Sequence, residues 1–251
     1  MALSLDLNKA KQQLVLDLNK AGVTTPPSAD AAFVLDVSGS FDDEHRDGLT
    51  QILLERLVPW GMVFDPDQKI DVLTFSKGPS YAHHVGDITP ATCDGYIKRS
   101  IIDKVPGYGY GTDYSYVLQK CLELFGWMPS TQPQPAKKSW FFGKAAAAAP
   151  ASAPVAKRRS IVMFVTDGAN GDERETERLL SESSARSDGV YFMFLGISNQ
   201  PTEFKFLQRM DDRFDNTGLT IIKDLKAFNR LSDSEINNLL ITDELVKWLK
   251  S

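Results

Sequence analysis

Asp36, Ser38 and Ser40 stand at alternate positions in the stretch FVLDVSGSF, residues 33–41. Three apolar residues run straight into side chains that all carry oxygen. The spacing i, i+2, i+4 suits an extended segment breaking into a loop. Two further segments offer oxygen at comparable places. GYGYGTDYS at 107–115 presents Thr112 just before a predicted helix, and FVTDGANGD at 164–172 presents Asp167 just after a predicted buried strand. Asp36, Ser38, Ser40, Thr112 and Asp167 form a set of hard donors, two carboxylates and three hydroxyls. Such a set suits Mg²⁺, which takes about six oxygens at roughly 2.0–2.1 Å and usually keeps several waters. It does not suit a thiophilic metal. Each residue alone has a plainer reading. Asp36 and Ser38 can close a turn, Thr112 can cap a helix, and Asp167 can be a turn residue. Their joint occurrence at strand ends in this order favours one shared site.

Other chemistries find less support. Phosphoryl transfer through Asp36 would want an acid two residues on, where Ser38 stands. There is no GxSxG nucleophile elbow and no GxxxxGK phosphate loop. Gly107, Gly109 and Gly111 lack GxGxxG spacing and read as a mobile loop beside the oxygen set. His83 and His84 are adjacent on a predicted strand, so they face opposite ways and make a poor shared metal site. His45 follows the first oxygen loop closely and stays open as a base. No catalytic residue is assigned, and the chain is read as not an enzyme.

The elements that must position these residues follow from periodicity. Short apolar runs at 31–37, 69–76, 160–168, 190–198 and 219–224 read as strands, with 79–87 as a weaker strand at an edge. Helices are predicted after residue 42, ending near Pro59, over 113–125, and over 171–189 up to Gly189. A capping box at Ser232 and Glu235 opens a last helical region towards Trp248. Cys121 shares an apolar helical face with Tyr114, Val117, Leu118, Leu122 and Phe125, so it reads as core. Strands alternating with helices predict an α/β fold, Rossmann-like and doubly wound, with a mostly parallel sheet and one antiparallel edge strand. In such sheets ligands bind beyond the carboxyl ends of strands, where the strand order reverses.

Two segments stand apart. At the N-terminus LSLDLNKA is repeated as LVLDLNKA at 14–21. Alternating leucines predict a strand pair over residues 1–25, with Asp6 and Asp17 facing solvent and one amphipathic helix as the alternative. Residues 129–159 are rich in Pro and Ala and read as a flexible insertion. Inside it, KKSWFFGK sets Trp140, Phe141 and Phe142 among lysines, either a chance patch or a docking motif for a partner or an anionic membrane surface.

The 251 residues are 42% hydrophobic and 24% charged, ordinary for a globular chain. A formal charge of −5 gives no reason to expect nucleic acid as a partner. Asp6 interrupts any secretory core, no apolar run approaches the roughly 20 residues of a membrane span, and Cys93 and Cys121 lack redox or metal spacing. A cytoplasmic setting is expected.

The combination of DxSxS after an apolar strand, GT before a helix and a later strand ending in TDG resembles the metal-ion-dependent adhesion site (MIDAS) of von Willebrand factor A (vWA) domains. The resemblance covers residues 30–251, less the insertion. It is nearest to the TerF-type A domains of bacterial tellurium-resistance clusters, whose usual ending FLGISNQPTEFKFLQRMDD and DELVKWLKS resemble. The N-terminal segment resembles the opening strand pair of TerD-type proteins; the rest of that domain, and with it any ground for its calcium sites, is absent. The resemblance implies a vWA fold, a divalent cofactor (Mg²⁺, or Mn²⁺ or Ca²⁺) at the five named residues, and a protein partner that offers an Asp or Glu carboxylate. That partner would belong to a tellurium-resistance or stress-response system. A scaffold merely stabilised by metal, or a metal-dependent hydrolase, are the rival readings.

Overall fold

The computed structural model describes residues 6–129, 157–198 and 204–251. Trp140, Phe141 and Phe142, with nearly all of the predicted insertion, lie outside the described residues. The insertion as predicted overlaps the following strand at Arg159.

Six strands form one sheet in the order β3-β2-β1-β4-β5-β6. They are β1 (Ala29–Asp36), β2 (Ile70–Phe75), β3 (His83–Ile88), β4 (Arg159–Thr166), β5 (Val190–Ile197) and β6 (Thr217–Ile222). All neighbours pair in parallel except β2 with β3, whose antiparallel pairing puts the predicted odd strand at the edge. The inner strands are apolar on both faces because both faces are covered. Phe33, Leu35, Met163 and Leu195 enter one core, while Val34, Phe164, Phe192 and Phe194 enter the other.

The first core is covered by α1 (Leu7–Lys20), α3 (Leu49–Phe64) and the C-terminal helices α7 (Leu225–Phe228), α8 (Asp233–Leu240) and α9 (Asp243–Lys250). The second is covered by α4 (Ser115–Leu124), α5 (Glu173–Ala185) and α6 (Lys205–Arg213), with Cys121 buried there as expected. A short helix, α2 (Asp42–Arg46), links the end of β1 to α3. The Ser232–Glu235 capping box opens α8.

Four expectations are corrected. The N-terminal strand pair is a single helix. Ala10, Leu14, Asp17 and Leu18 recur at helical spacing and are buried, whereas Leu16 is 54% exposed, so the alternation of leucines does not mark a pleat. Asp6 is the N-cap, accepting from the Lys9 amide at 3.2 Å. Asp17 is buried rather than solvent-facing. Its carboxylate accepts from Gln13, Lys20, Ser234 and Asn237, which ties α1 to α8 and holds its pKa below the ordinary value despite burial.

The helix expected to stop near Pro59 breaks earlier, at Gly48 in the left-handed region, and then runs through Pro59 to Phe64. A proline inside a helix costs about 3 kcal/mol. Trp60, Met62 and Phe64 are all buried beyond it, and the burial of large apolar side chains at about 1.5–3 kcal/mol each outweighs that cost. Helix α5 ends at Ala185, short of Gly189; at Gly189 an added Cβ would lie 2.9 Å from the Trp127 ring, so that glycine serves a close approach instead.

The strand order fixes the place of the site. The chain moves outward from β1 through β2 to β3, then returns to the other side of β1 for β4. The reversal therefore falls between β1 and β4, whose carboxyl ends are Asp36 and Thr166.

Candidate metal centre

Asp36 ends β1 with no exposed surface. Its Oδ1 accepts from the Ser38 amide at 2.8 Å and its Oδ2 from Thr166 Oγ1 at 2.7 Å. The loop that follows climbs towards solvent. Ser38 is buried and Ser40 exposed, with their hydroxyls 3.2 Å apart. Across the switch point both serines turn to one oxygen of Asp167. Ser40 donates to Asp167 Oδ1 at 3.1 Å, and Ser38 Oγ lies 3.5 Å from the same atom. Four of the five predicted residues are therefore in one hydrogen-bonded group.

Thr112 reaches the same rim by another route. Its carbonyl accepts from the Gly171 amide at 2.9 Å, and a Cβ placed on Gly168 would lie 3.7 Å from its hydroxyl. Among the described residues, no hydrogen bond joins that hydroxyl to the other four. Thr112 is not the cap of α4. That role falls to Asp172, which accepts from the Tyr114 and Ser115 amides.

The loops lock together through backbone. Gly109 N donates to Val37 O at 2.8 Å and Gly39 N to Tyr110 O at 2.9 Å. Gly107 and Gly109 have φ of 74° and 82°, a region that favours glycine.

The electrostatics suit a cation. Burial, and then the neighbouring Asp167 charge, push the Asp36 carboxyl up to about 7. Burial also raises Asp167, against hydrogen bonds from Ser40 and Ser38. Glu44 on α2 is raised by burial, with Asp167 among the nearby charges, and its Oε2 is buried without a partner among the described residues. Burial raises both carboxyls and the Asp167 charge adds to the rise at Asp36, and a divalent ion relieves both penalties. The donor chemistry fits Mg²⁺ or Mn²⁺.

His45, left open as a base, does not face this group. It is 1% exposed, donates Nε2–H to the Asp36 carbonyl at 2.9 Å and accepts at Nδ1 from Thr50 Oγ1 at 2.9 Å. A carbonyl oxygen only accepts, which fixes the tautomer. Burial lowers the imidazole pKa to about 4. His45 is a pin behind the strand end. His84 pairs with Asp71 at 2.8 Å, away from the site.

The sequence reading missed Thr166, Tyr114, Asn170 and Asp172. Thr166 has a local signal, as the residue before Asp167 at the strand end. The other three act across 54 to 58 residues, and nothing in their local spacing announces it.

A family described as "vWA-TerF-like: vWA found in TerF C terminus" matches residues 145–251. The uncharacterized protein YcbR of Bacillus subtilis (strain 168) is 24% identical over 253 residues, covering 98% of this chain and 87% of the relative. Among solved structures, proximal thread matrix protein 1 from the mussel byssus aligns with a TM-score of 0.52 at 18% identity, over 88% of this chain. The chain spans about half, 49%, of that protein's length. A structure of the same mussel protein with a zinc-occupied MIDAS motif aligns at TM-score 0.49 and 18% identity, covering 88% of this chain and 48% of that one. The C-terminal part of the chain, residues 145–251, thus resembles the vWA domain found in TerF, and the switch-point sheet shares the fold of the mussel protein.

Proposed function

We propose that this chain binds one divalent ion, Mg²⁺ or Mn²⁺ in preference to Ca²⁺, through Asp36, Ser38, Ser40, Thr112 and Asp167, and so grips an Asp or Glu carboxylate of a protein partner. The observation that carries the reading is the approach of Ser38 and Ser40 to a single oxygen of Asp167, 129 and 127 residues away, at the sheet's switch point. The bound ion would supply a positive centre with a coordination position left for one more anionic oxygen. Only two of the five donors are anionic, so the set leaves that charge incompletely quenched. Thr166 orients Asp36 from the neighbouring strand, and His45 holds the strand end from behind. Ca²⁺ prefers more ligands and longer bonds than this compact set offers.

vWA domains are generally interaction modules rather than enzymes, and no helix among the described residues is long and apolar enough to cross a membrane. The setting we propose is a cytoplasmic tellurium-resistance or stress-response system, a reading supported by the TerF-like match. Affinity capture with the full chain in Mg²⁺ and in EDTA tests the role, with folding checked in both. A partner retained with Mg²⁺, released by EDTA and absent with Asp36→Ala supports it. A partner held equally in all three arms, with the fold intact, refutes it in favour of a scaffold.

A further inference from the structure

We infer that Asp172 is a positioning residue that sets Thr112 in place for the metal, an inference that rests on the metal-binding reading above. Asp172 occupies the N-cap position of α5, yet its side chain makes no cap hydrogen bond to that helix's own amides. It turns mainly to the start of α4 instead. Oδ1 accepts from the Tyr114 amide at 2.9 Å and from Thr176 Oγ1 at 3.0 Å. Oδ2 accepts from the Ser115 amide at 3.1 Å and from the Ser115 hydroxyl.

Neighbouring contacts reinforce the same seam. Asn170 Oδ1 accepts from the Tyr114 amide at 3.2 Å and from the Asp172 amide at 3.1 Å, while its Nδ2 donates to Thr176 Oγ1 at 2.9 Å. The buried Tyr114 hydroxyl donates to the Gly168 carbonyl at 2.6 Å. Gly171 N holds the Thr112 carbonyl, and an added Cβ on Gly171 would lie 2.8 Å from that oxygen. The segment carrying Thr112 is thus clamped to the segment carrying Asp167.

The clamp matters because of what precedes it. Thr112 follows Gly107, Gly109 and Gly111, a run with little conformational preference of its own. Metal ligands must be held to within about 0.5 Å of productive geometry. Asp36 has its own supports in His45 and Thr166, and Ser38 and Ser40 bond to Asp36 or Asp167, whereas Thr112 sits on the segment that Asp172 clamps.

The test is calorimetric titration of Mn²⁺ into the full chain as wild type, Asp36→Ala, Asp172→Ala, Asp172→Asn, Thr112→Ala, the Thr112→Ala/Asp172→Ala double variant, and Thr242→Ala. Thr242 caps α9 by accepting from the Leu245 amide and serves as a control for loss of a helix cap. Outer supports of metal ligands are typically worth about 10- to 100-fold in affinity. Asp172→Ala should weaken Mn²⁺ binding by that order, Asp172→Asn by less, and Thr242→Ala not at all. Acting through Thr112, Asp172→Ala should add little in the Thr112→Ala background. Wild-type affinity in Asp172→Ala, or losses that multiply in the double variant, would overturn the inference. If Asp172→Ala does not fold, Asp172→Asn decides: weakened binding supports the inference and wild-type affinity overturns it. Failure of the metal reading itself has a different signature, in which wild type binds no Mn²⁺ or Asp36→Ala binds it equally well.

Discussion

Thr166 Oγ1 donates to Asp36 Oδ2 at 2.7 Å across the seam between β4 and β1. Both oxygens of this buried carboxylate thus have protein donors, since the Ser38 amide serves Oδ1. The hydroxyl aims Asp36 and offsets part of its burial cost. Thr166→Val keeps the shape and removes the donor. A hydrogen bond to a charged group is worth about 1.5–3 kcal/mol, so denaturant unfolding at about pH 8.5, where Asp36 is ionised, should show a loss of that order. Apparent metal affinity should fall with it, because the proton then competes better for Asp36. Unchanged stability and affinity would mean that Thr166 is a bystander.

The pH dependence follows from the same carboxylate. Asp36 titrates near 7 in the folded protein against an ordinary 3.8, so between those values the folded state holds the extra proton. Its contribution is present below the lower value and is lost as pH rises through the higher one. His45 works oppositely: its folded pKa near 4 lies below the ordinary 6.5, so stability is lost as pH falls between them. The difference in Tm between Mn²⁺ and EDTA at each pH cancels the His45 contribution. Metal binding requires the carboxylate, so that difference should be small at about pH 5 and full at about pH 8. A difference that does not vary with pH would remove Asp36 from the site.

Helix α1 is an integral part of the domain. Leu14 and Leu18 have no exposed surface, and Asp17 anchors the helix to Ser234 and Asn237. Leu18→Ala should cost about 2–5 kcal/mol in denaturant unfolding. A cost under 1 kcal/mol would show that α1 contributes little to the core.

The sheet was legible in the sequence because its strands are short and apolar on both faces, a pattern that a buried parallel sheet imposes. The strand ends then gave Asp36, Ser38, Ser40 and Asp167, which the fold gathers at its switch point. Thr112 was legible as a position but not as a contact, because its place depends on Asp172 and Gly171 from a distant loop. The N-terminal helix was misread for a local reason. Leucines spaced by two carry no information on which of them face a core, and only the rest of the domain selects Leu14 and Leu18 over Leu16. Pro59 misled in the same way, since the apolar burial beyond it lies outside any local rule.

Gly171 marks the tightest approach of the two loops. An added Cβ would sit 2.6 Å from Asp113 Oδ1 and 2.8 Å from the Thr112 carbonyl. Gly171→Ala should therefore push Thr112 away and weaken Mn²⁺ binding by about tenfold or more. Gly48→Ala, whose Cβ would meet nothing within 4 Å but whose φ is 77°, provides a variant that carries backbone strain away from the site. It should cost stability without altering Mn²⁺ affinity. Equal affinity in both variants would show that the loop contact does not govern the site.

We propose that the oxygens of Asp36, Ser38, Ser40, Thr112 and Asp167 serve a single divalent ion. The most direct measurement is thermal and denaturant unfolding of the chelator-stripped chain, with and without Mg²⁺ or Mn²⁺, in wild type and Asp36→Ala. At about 100 times its dissociation constant, the ion should stabilise wild type by roughly 2.7 kcal/mol through one saturable site. Asp36→Ala should fold and lose most of that gain. Equal stabilisation of the two proteins, or none of wild type, would contradict the account.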